Sequence, residues 1–278
     1  MSNNNETNIY TQVKEVFMNE DDVKNFVNLD KSINCYNKIV SVLKKPLKLI
    51  LFYGKPGSGK TFLLNKITAD LSEQQNIIFF PHPFFNEATF IGALCERLFG
   101  EKKDGIENFE IFIKEYGKKF KDREEILQNQ VIVILDEAQL YPQDLIEKIR
   151  LMADTRCFKF LFTIHKTDDE DILAKDYFQT RIWESIELKT VNMGEIIIYL
   201  QRKLALKGLE KYLKFNKKDY ELAYSLCDGN LRTLNKMMYK FFEICEYYDH
   251  FEPSELTNET ANNKILTMAA IDTGIIDA

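Results

Sequence analysis

The segment Gly54-Lys55-Pro56-Gly57-Ser58-Gly59-Lys60-Thr61 constrains this chain more than any other stretch. It fits the pattern G-x-x-x-x-G-K-[ST]. The run before it, LKLILFY (47–53), is short and nearly all apolar, as in a strand buried on both faces of a parallel sheet. A stretch of helical character follows from Lys60 to about Leu71. Each residue type in the loop has a physical reason. Glycines allow the backbone angles that turn several N–H groups onto one anion. The N-terminus of the following helix adds its dipole. A lysine at position 60 reaches the β- and γ-phosphates of a nucleotide, and the Thr61 hydroxyl ligates Mg²⁺. A chance match somewhere in such a chain is roughly a one-in-a-hundred event at average glycine content. The strand–loop–helix context lowers that further. Gly54 to Thr61 are therefore the candidate phosphate-binding residues, all eight of them.

The rest of the first 189 residues alternates strand and helix patterns, which predicts βα units and a parallel sheet. NIIFF (76–80), VIVIL (131–135), FKFLFTI (158–164) and WESIEL (183–188) read as further strands. Helical spacing runs over 20–45, 87–99 and about 106–127, and Pro142 opens another helix to about Ala153. After 190 the period is helical throughout, in MGEIIIYLQRKLALKG, KKDYELAYSLC and LRTLNKMMYKFFEICEYY, with one more helix between Asn258 and about Ile275. The expected organisation is an N-terminal tail (1–19), an α/β core with a five-stranded parallel sheet (20–189) and an all-helical region (190–278).

VIVILDEAQ ends its apolar strand with Asp136 and Glu137. Carboxylates at the C-terminal end of a parallel strand stand at the edge where such sheets bind ligands. Asp136 is expected in the Mg²⁺ shell, and Glu137 as the general base that polarises an attacking water. An acidic turn alone is common; one that follows a phosphate loop by about 75 residues is not.

Composition excludes other classes. Lys plus Arg number 37 against 43 Asp plus Glu, a net charge of −6, so no overall basic field draws the chain to nucleic acid. Five cysteines, at 35, 95, 157, 227 and 245, include no CxxC pair, which argues against a disulfide framework or a structural zinc site. The start MSNNNETN carries no charged region leading into an apolar one. Apolar runs of about five to seven residues fall short of a membrane span. The expected location is cytoplasmic, with any attachment to an inner membrane made through a partner. One local patch runs against the overall charge: in 201–218, Arg202, Lys203, Lys207, Lys211, Lys214, Lys217 and Lys218 face a single acid, Glu210. Such a cluster would bind DNA or anionic lipid in a salt-sensitive way, with Tyr212 and Phe215 as stacking surface. The plainer alternative is a solvated helix face whose aromatics are core residues, and their spacing favours it.

Taken together, GKPGSGKT, LDEAQ, the helix beginning LIEKIRLM, QTRIWESIEL, EIIIYLQRKLALKG and DGNLRTLNK resemble the AAA+ superfamily of P-loop ATPases over about residues 26–272. More narrowly, the order of the last three is similar to the ExeA/GspA-type ATPases of type II secretion and pilus systems, in one clan with MuB/TniB transposition ATPases. The resemblance implies a Mg-dependent ATPase that binds ATP and ADP under a helical lid and works as a homo-oligomer. It implies an arginine finger at Arg181, acting on a neighbouring subunit, and a γ-phosphate-sensing arginine at Arg232. It also implies a polar sensor at the end of the fourth strand, where Thr163 and His165 both qualify. There Ile164-His165-Lys166 stands in place of the narrower family's Gly-Gln-Pro segment. About 30 residues after position 248 are too few for a winged-helix domain. The output is therefore expected through a partner: a membrane protein of a secretion, pilus or DNA-uptake machine, or DNA in transposition or replication. A slow nucleotide switch is the third alternative.

Overall fold

The structure is a computed structural model that describes residues 8–18, 23–103, 105–165, 182–258 and 260–277. Five strands form one sheet: β1 (Leu49–Gly54), β2 (Ile77–Phe80), β3 (Val131–Leu135), β4 (Phe158–His165) and β5 (Glu184–Glu187). Their order is β2-β3-β4-β1-β5, and each neighbouring pair is parallel. The chain divides into two compact units. One comprises Asn34–Lys55 and Leu63–Leu188; the other comprises the residues up to Ile33, Pro56–Phe62 and everything from Lys189.

The first unit holds the sheet. Its helices are α4 (Glu87–Phe99), α5 (Phe109–Gly117), α6 (Arg123–Gln128) and α7 (Gln143–Asp154), with most of α2 (Asp30–Leu43) and α3 (Lys60–Leu71). Side chains alternate across each strand. Val131, Val133 and Leu135 of β3 join Phe158, Phe160 and Phe162 of β4 in one apolar cluster with Phe90, Leu94, Phe112 and Ile149 of the helices. The intervening Ile132, Ile134 and Leu161 are buried as well. Burial on both faces explains why these strands read as continuous apolar runs rather than alternating ones.

The expected helix over 106–127 is two helices. Asn108 caps α5 by accepting from Ile111 N, and Asp122 caps α6 by accepting from Glu124 N and Glu125 N. A second capping residue inside an apolar-periodic stretch starts a second helix, and periodicity alone does not register it. Likewise, of the stretch 20–45, the described residues form a short 3₁₀ turn at Val23–Asn25 and then α2.

The second unit is helical: α1 (Ile9–Glu15), α8 (Met193–Ala205), α9 (Lys217–Cys227), α10 (Leu231–Phe251) and α11 (Ala261–Asp272). Capping boxes start α8 (Asn192 with Glu195) and α9 (Asn216 with Asp219). Residues 9–17 correct the expected tail. Val13 and Phe17 are buried in the core of this unit, Phe17 stacks on Phe242 at 5.8 Å, and Lys14 pairs with Glu246 of α10. A seven-residue helix is too short to stand alone, so its place comes from this packing.

Candidate functional site

In a parallel sheet every strand ends at the same edge. Here β1 ends at Gly54 and β4 at His165, and the two are register partners. Leu135, the last residue of β3, pairs with Phe162, so the next residues, Asp136 and Thr163, continue side by side. The Thr163 hydroxyl donates to Asp136 Oδ1, and both residues are buried. The same Asp136 oxygen accepts from the Glu137 amide at 3.0 Å, and that amide also approaches Thr163 Oγ1 at 3.2 Å. Asp136 N in turn donates to Phe80 O at 3.1 Å, tying the turn to β2.

Glu137 has φ 54° and ψ 40°, a left-handed conformation that costs a residue with a Cβ about 1–2 kcal/mol. Such strain persists where surrounding contacts impose it. Two contacts hold the carboxylate: His165 Nε2 lies 2.9 Å from Oε1, and Gln139 Nε2 donates to Oε2 at 2.5 Å. Its side chain remains about a quarter exposed (26%), enough to meet water. Nearby, the Tyr141 hydroxyl is buried with no hydrogen-bond partner. Burial, and then the charge of Asp136, push its pKa above the ordinary tyrosine range.

The phosphate loop leaves this edge at Gly54 and Lys55. Its remaining residues, Pro56–Phe62, group with the helical unit. Gly57 (φ 77°) and Gly59 (φ 93°) are both left-handed. Ser58 and Lys60 are buried, and Lys60 is the first residue of α3. Ser58 Oγ is buried without a hydrogen-bond partner. Thr61 is exposed. Within the helical unit, Asn230 Nδ2 donates to Pro56 O at 2.9 Å, and Arg232 N donates to Gly57 O at 3.3 Å.

The sheet edge thus gathers Gly54, Lys55, Asp136, Glu137, Thr163 and His165. The loop from Pro56 to Thr61 accompanies Arg232, whose side chain is exposed. Arg181 lies outside the described residues. An orphaned buried hydroxyl beside left-handed glycines at a helix N-terminus fits a phosphate. The Thr61 hydroxyl and the Asp136 carboxylate are hard oxygen donors of the kind Mg²⁺ takes together with phosphate oxygens and water. Sequence reasoning missed Gln139, Tyr141 and Asn230. Gln139 was visible in LDEAQ, and Asn230 carried a signal as an Asn just ahead of an apolar helical run. Nothing in the sequence marks Tyr141.

In the basic stretch, the aromatics are core residues: Phe215 packs on Phe241 with ring centres 5.2 Å apart, and Tyr212 is half-buried. Lys203 is buried and donates to Tyr199 Oη at 2.9 Å, while Arg202 donates to Asn28 O at 2.8 Å. Lys207, Lys211, Lys214, Lys217 and Lys218 are exposed. Among the described residues no helix is long and apolar enough to cross a membrane.

Comparison with known proteins bears on the fold. Residues 45–171 match a family model described as an AAA domain. No curated protein sequence matches the chain. Among solved structures, Cdc6p from Pyrobaculum aerophilum superposes with a TM-score of 0.60 at 15% identity, over 85% of this chain and 66% of that one. The Aeropyrum pernix ORC2 protein, solved as ADPNP and ADP complexes, gives 0.61 at 17% identity, over 91% and 71%. A Drosophila ORC chain, in a structure bound to DNA, gives 0.67 at 11% identity, over 100% and 69%. The chain therefore spans 66–71% of the length of these relatives. With an AAA domain over residues 45–171 and helices following its five-stranded parallel sheet, the chain has the AAA+ P-loop fold.

Proposed function

We propose that this chain binds MgATP on the 54–61 loop and hydrolyses it. The observation that carries this reading is the Thr163–Asp136 hydrogen bond, which fixes a buried carboxylate beside Glu137 at the sheet edge from which the loop departs. The loop amides and Lys60 would hold the phosphates. Thr61 and Asp136 would hold Mg²⁺, which would neutralise charge on the β- and γ-phosphates when bound. Glu137, oriented by His165 and Gln139, would take a proton from water. The water oxygen then bonds to the γ-phosphorus, and the bond to the bridging oxygen breaks, leaving ADP and phosphate. Arg232, and Arg181 from a second copy, would stabilise charge on the transferring phosphoryl group.

The test is ATP hydrolysis measured against protein concentration, with Lys60→Ala as control. Turnover is expected to fall about 100-fold or more in Lys60→Ala. Specific activity that rises with concentration supports a homo-oligomer with shared sites. A constant specific activity indicates a monomeric enzyme. No activity at any concentration leaves the slow-switch reading.

For the output, DNA is the reading the observations favour. The five exposed lysines of 207–218 offer phosphate contacts, and a Drosophila ORC relative is solved bound to DNA. Fluorescence anisotropy on duplex DNA should show binding that weakens steeply between about 50 and 200 mM salt. Replacing Lys211, Lys214 and Lys218 by Gln should flatten that dependence. No affinity at low salt sinks the reading. A role with a membrane partner in secretion, pilus assembly or DNA uptake rests on the sequence resemblance alone.

A further inference from the structure

We infer that Asn230, a residue of the helical unit, is a positioning residue that presets the phosphate loop for its anion. The inference rests on the phosphate-loop reading above and names what shapes that loop. Two consecutive loop carbonyls are engaged by the start of α10. Asn230 Nδ2 donates to Pro56 O at 2.9 Å, and Arg232 N donates to Gly57 O at 3.3 Å. A peptide unit is planar and trans, so its N–H points opposite to its C=O. The Pro56 carbonyl shares a peptide with Gly57 N–H, and the Gly57 carbonyl shares one with Ser58 N–H. Holding both carbonyls against α10 therefore turns the Gly57 and Ser58 amides away from α10, as a converging anion cradle requires.

The same Asn230 amide also begins the helix. Its Oδ1 accepts from Thr233 N at 3.1 Å, the ordinary capping bond. One planar group thus ties the helix start to the loop. Asn230 is itself fixed from behind. Its N–H donates to Cys227 O at 2.8 Å, and Gly229 O accepts from Val191 N at 3.2 Å. Asp228 (φ 46°) and Gly229 (φ 69°) are both left-handed and make the sharp turn that aims α10 at the loop.

The pattern G-x-x-x-x-G-K-[ST] leaves position 57 free, yet a glycine stands there. A Cβ on it would lie 2.3 Å from Asn230 Oδ1 and 3.0 Å from Arg232 Cβ. The approach of α10 accounts for that glycine, as its left-handed φ also does.

The experiment separates loop positioning from helix capping. Asn230→Ser and Asn230→Asp both keep a capping oxygen and lose the amide donor. Ser is too short to reach Pro56 O, and Asp adds a repelling charge. Binding of a fluorescent ADP analogue to the full chain is expected to weaken about tenfold in Asn230→Ser, and more in Asn230→Asp, with thermal unfolding unchanged. Without nucleotide, amide exchange in 54–61 is expected to speed up in both variants. Affinity and exchange equal to wild type overturn the inference, as does a loss of affinity that only tracks a loss of thermal stability. Failure of the phosphate-loop reading looks different: wild type and Lys60→Ala then bind the analogue equally poorly. Amide exchange still judges the Asn230 contact in that case.

Discussion

Glu137→Gln is expected to lower ATP turnover by about 10²–10⁴-fold while leaving nucleotide affinity intact. The substitution is isosteric. The side-chain contacts around it are polar, with His165 Nε2 at 2.9 Å from Oε1 and Gln139 Nε2 at 2.5 Å from Oε2, and an amide can keep one of them through its remaining oxygen. The left-handed backbone at 137 suits Gln no worse than Glu. What disappears is the carboxylate charge, the basic group proposed to take a proton from water. Binding is spared because removing a negative charge does not weaken the hold on a polyanion. Single-turnover hydrolysis and equilibrium binding of the same variant separate the two effects. Turnover above a tenth of wild type would remove Glu137 from the role of base.

Gly229→Ala is expected to cost the helical unit about 3 kcal/mol or more, combining a left-handed backbone with a displaced neighbour. At φ 69° a Cβ would lie 2.1 Å from Val191 O and 3.2 Å from both the C and N atoms of Val191. These are backbone atoms. Val191 is buried and immediately precedes Asn192, the cap of α8, so retreat would disturb that helix start as well. Gly274→Ala is the matched control. Its φ is 68°, but nothing lies within 4 Å of the added Cβ, so it should cost only about 1 kcal/mol. Chemical denaturation followed by helical signal compares the two. Equal costs would mean that Val191 gives way freely.

How much of this was legible in the sequence depended on the range of the interactions involved. The five strands were readable because burial on both faces leaves unbroken apolar runs such as VIVIL. Their order was not, because pairing between β1 and β4 joins segments with more than a hundred residues between them. The loop and the acidic pair were readable because their chemistry demands particular residue types in a row. Thr163 and His165 could not be told apart from sequence. They stand two apart on one strand and so share a face. Only the structure gives them different partners, Asp136 for the threonine and Glu137 for the histidine. Asn230 was legible as a cap, a local bond, but not as a partner of Pro56, 174 positions away. Val13 and Phe17 were passed over because seven residues of helix carry too little periodicity to stand out.

The helical unit is assembled from three stretches far apart in the chain: the residues before Asn34, Pro56–Phe62, and those after Leu188. That has a consequence for the order of events during synthesis. Asn34–Leu188 supplies all five strands, so the sheet can pair before α8 emerges from the ribosome. Helix α1 is made before the sheet, yet it must wait for Phe242 and Glu246 to be translated before its contacts through Tyr10 and Lys14 exist. The phosphate loop waits for Asn230 in the same way. A nascent chain therefore carries the complete glycine-lysine signature long before that segment has its final partners, and the cradle is finished late.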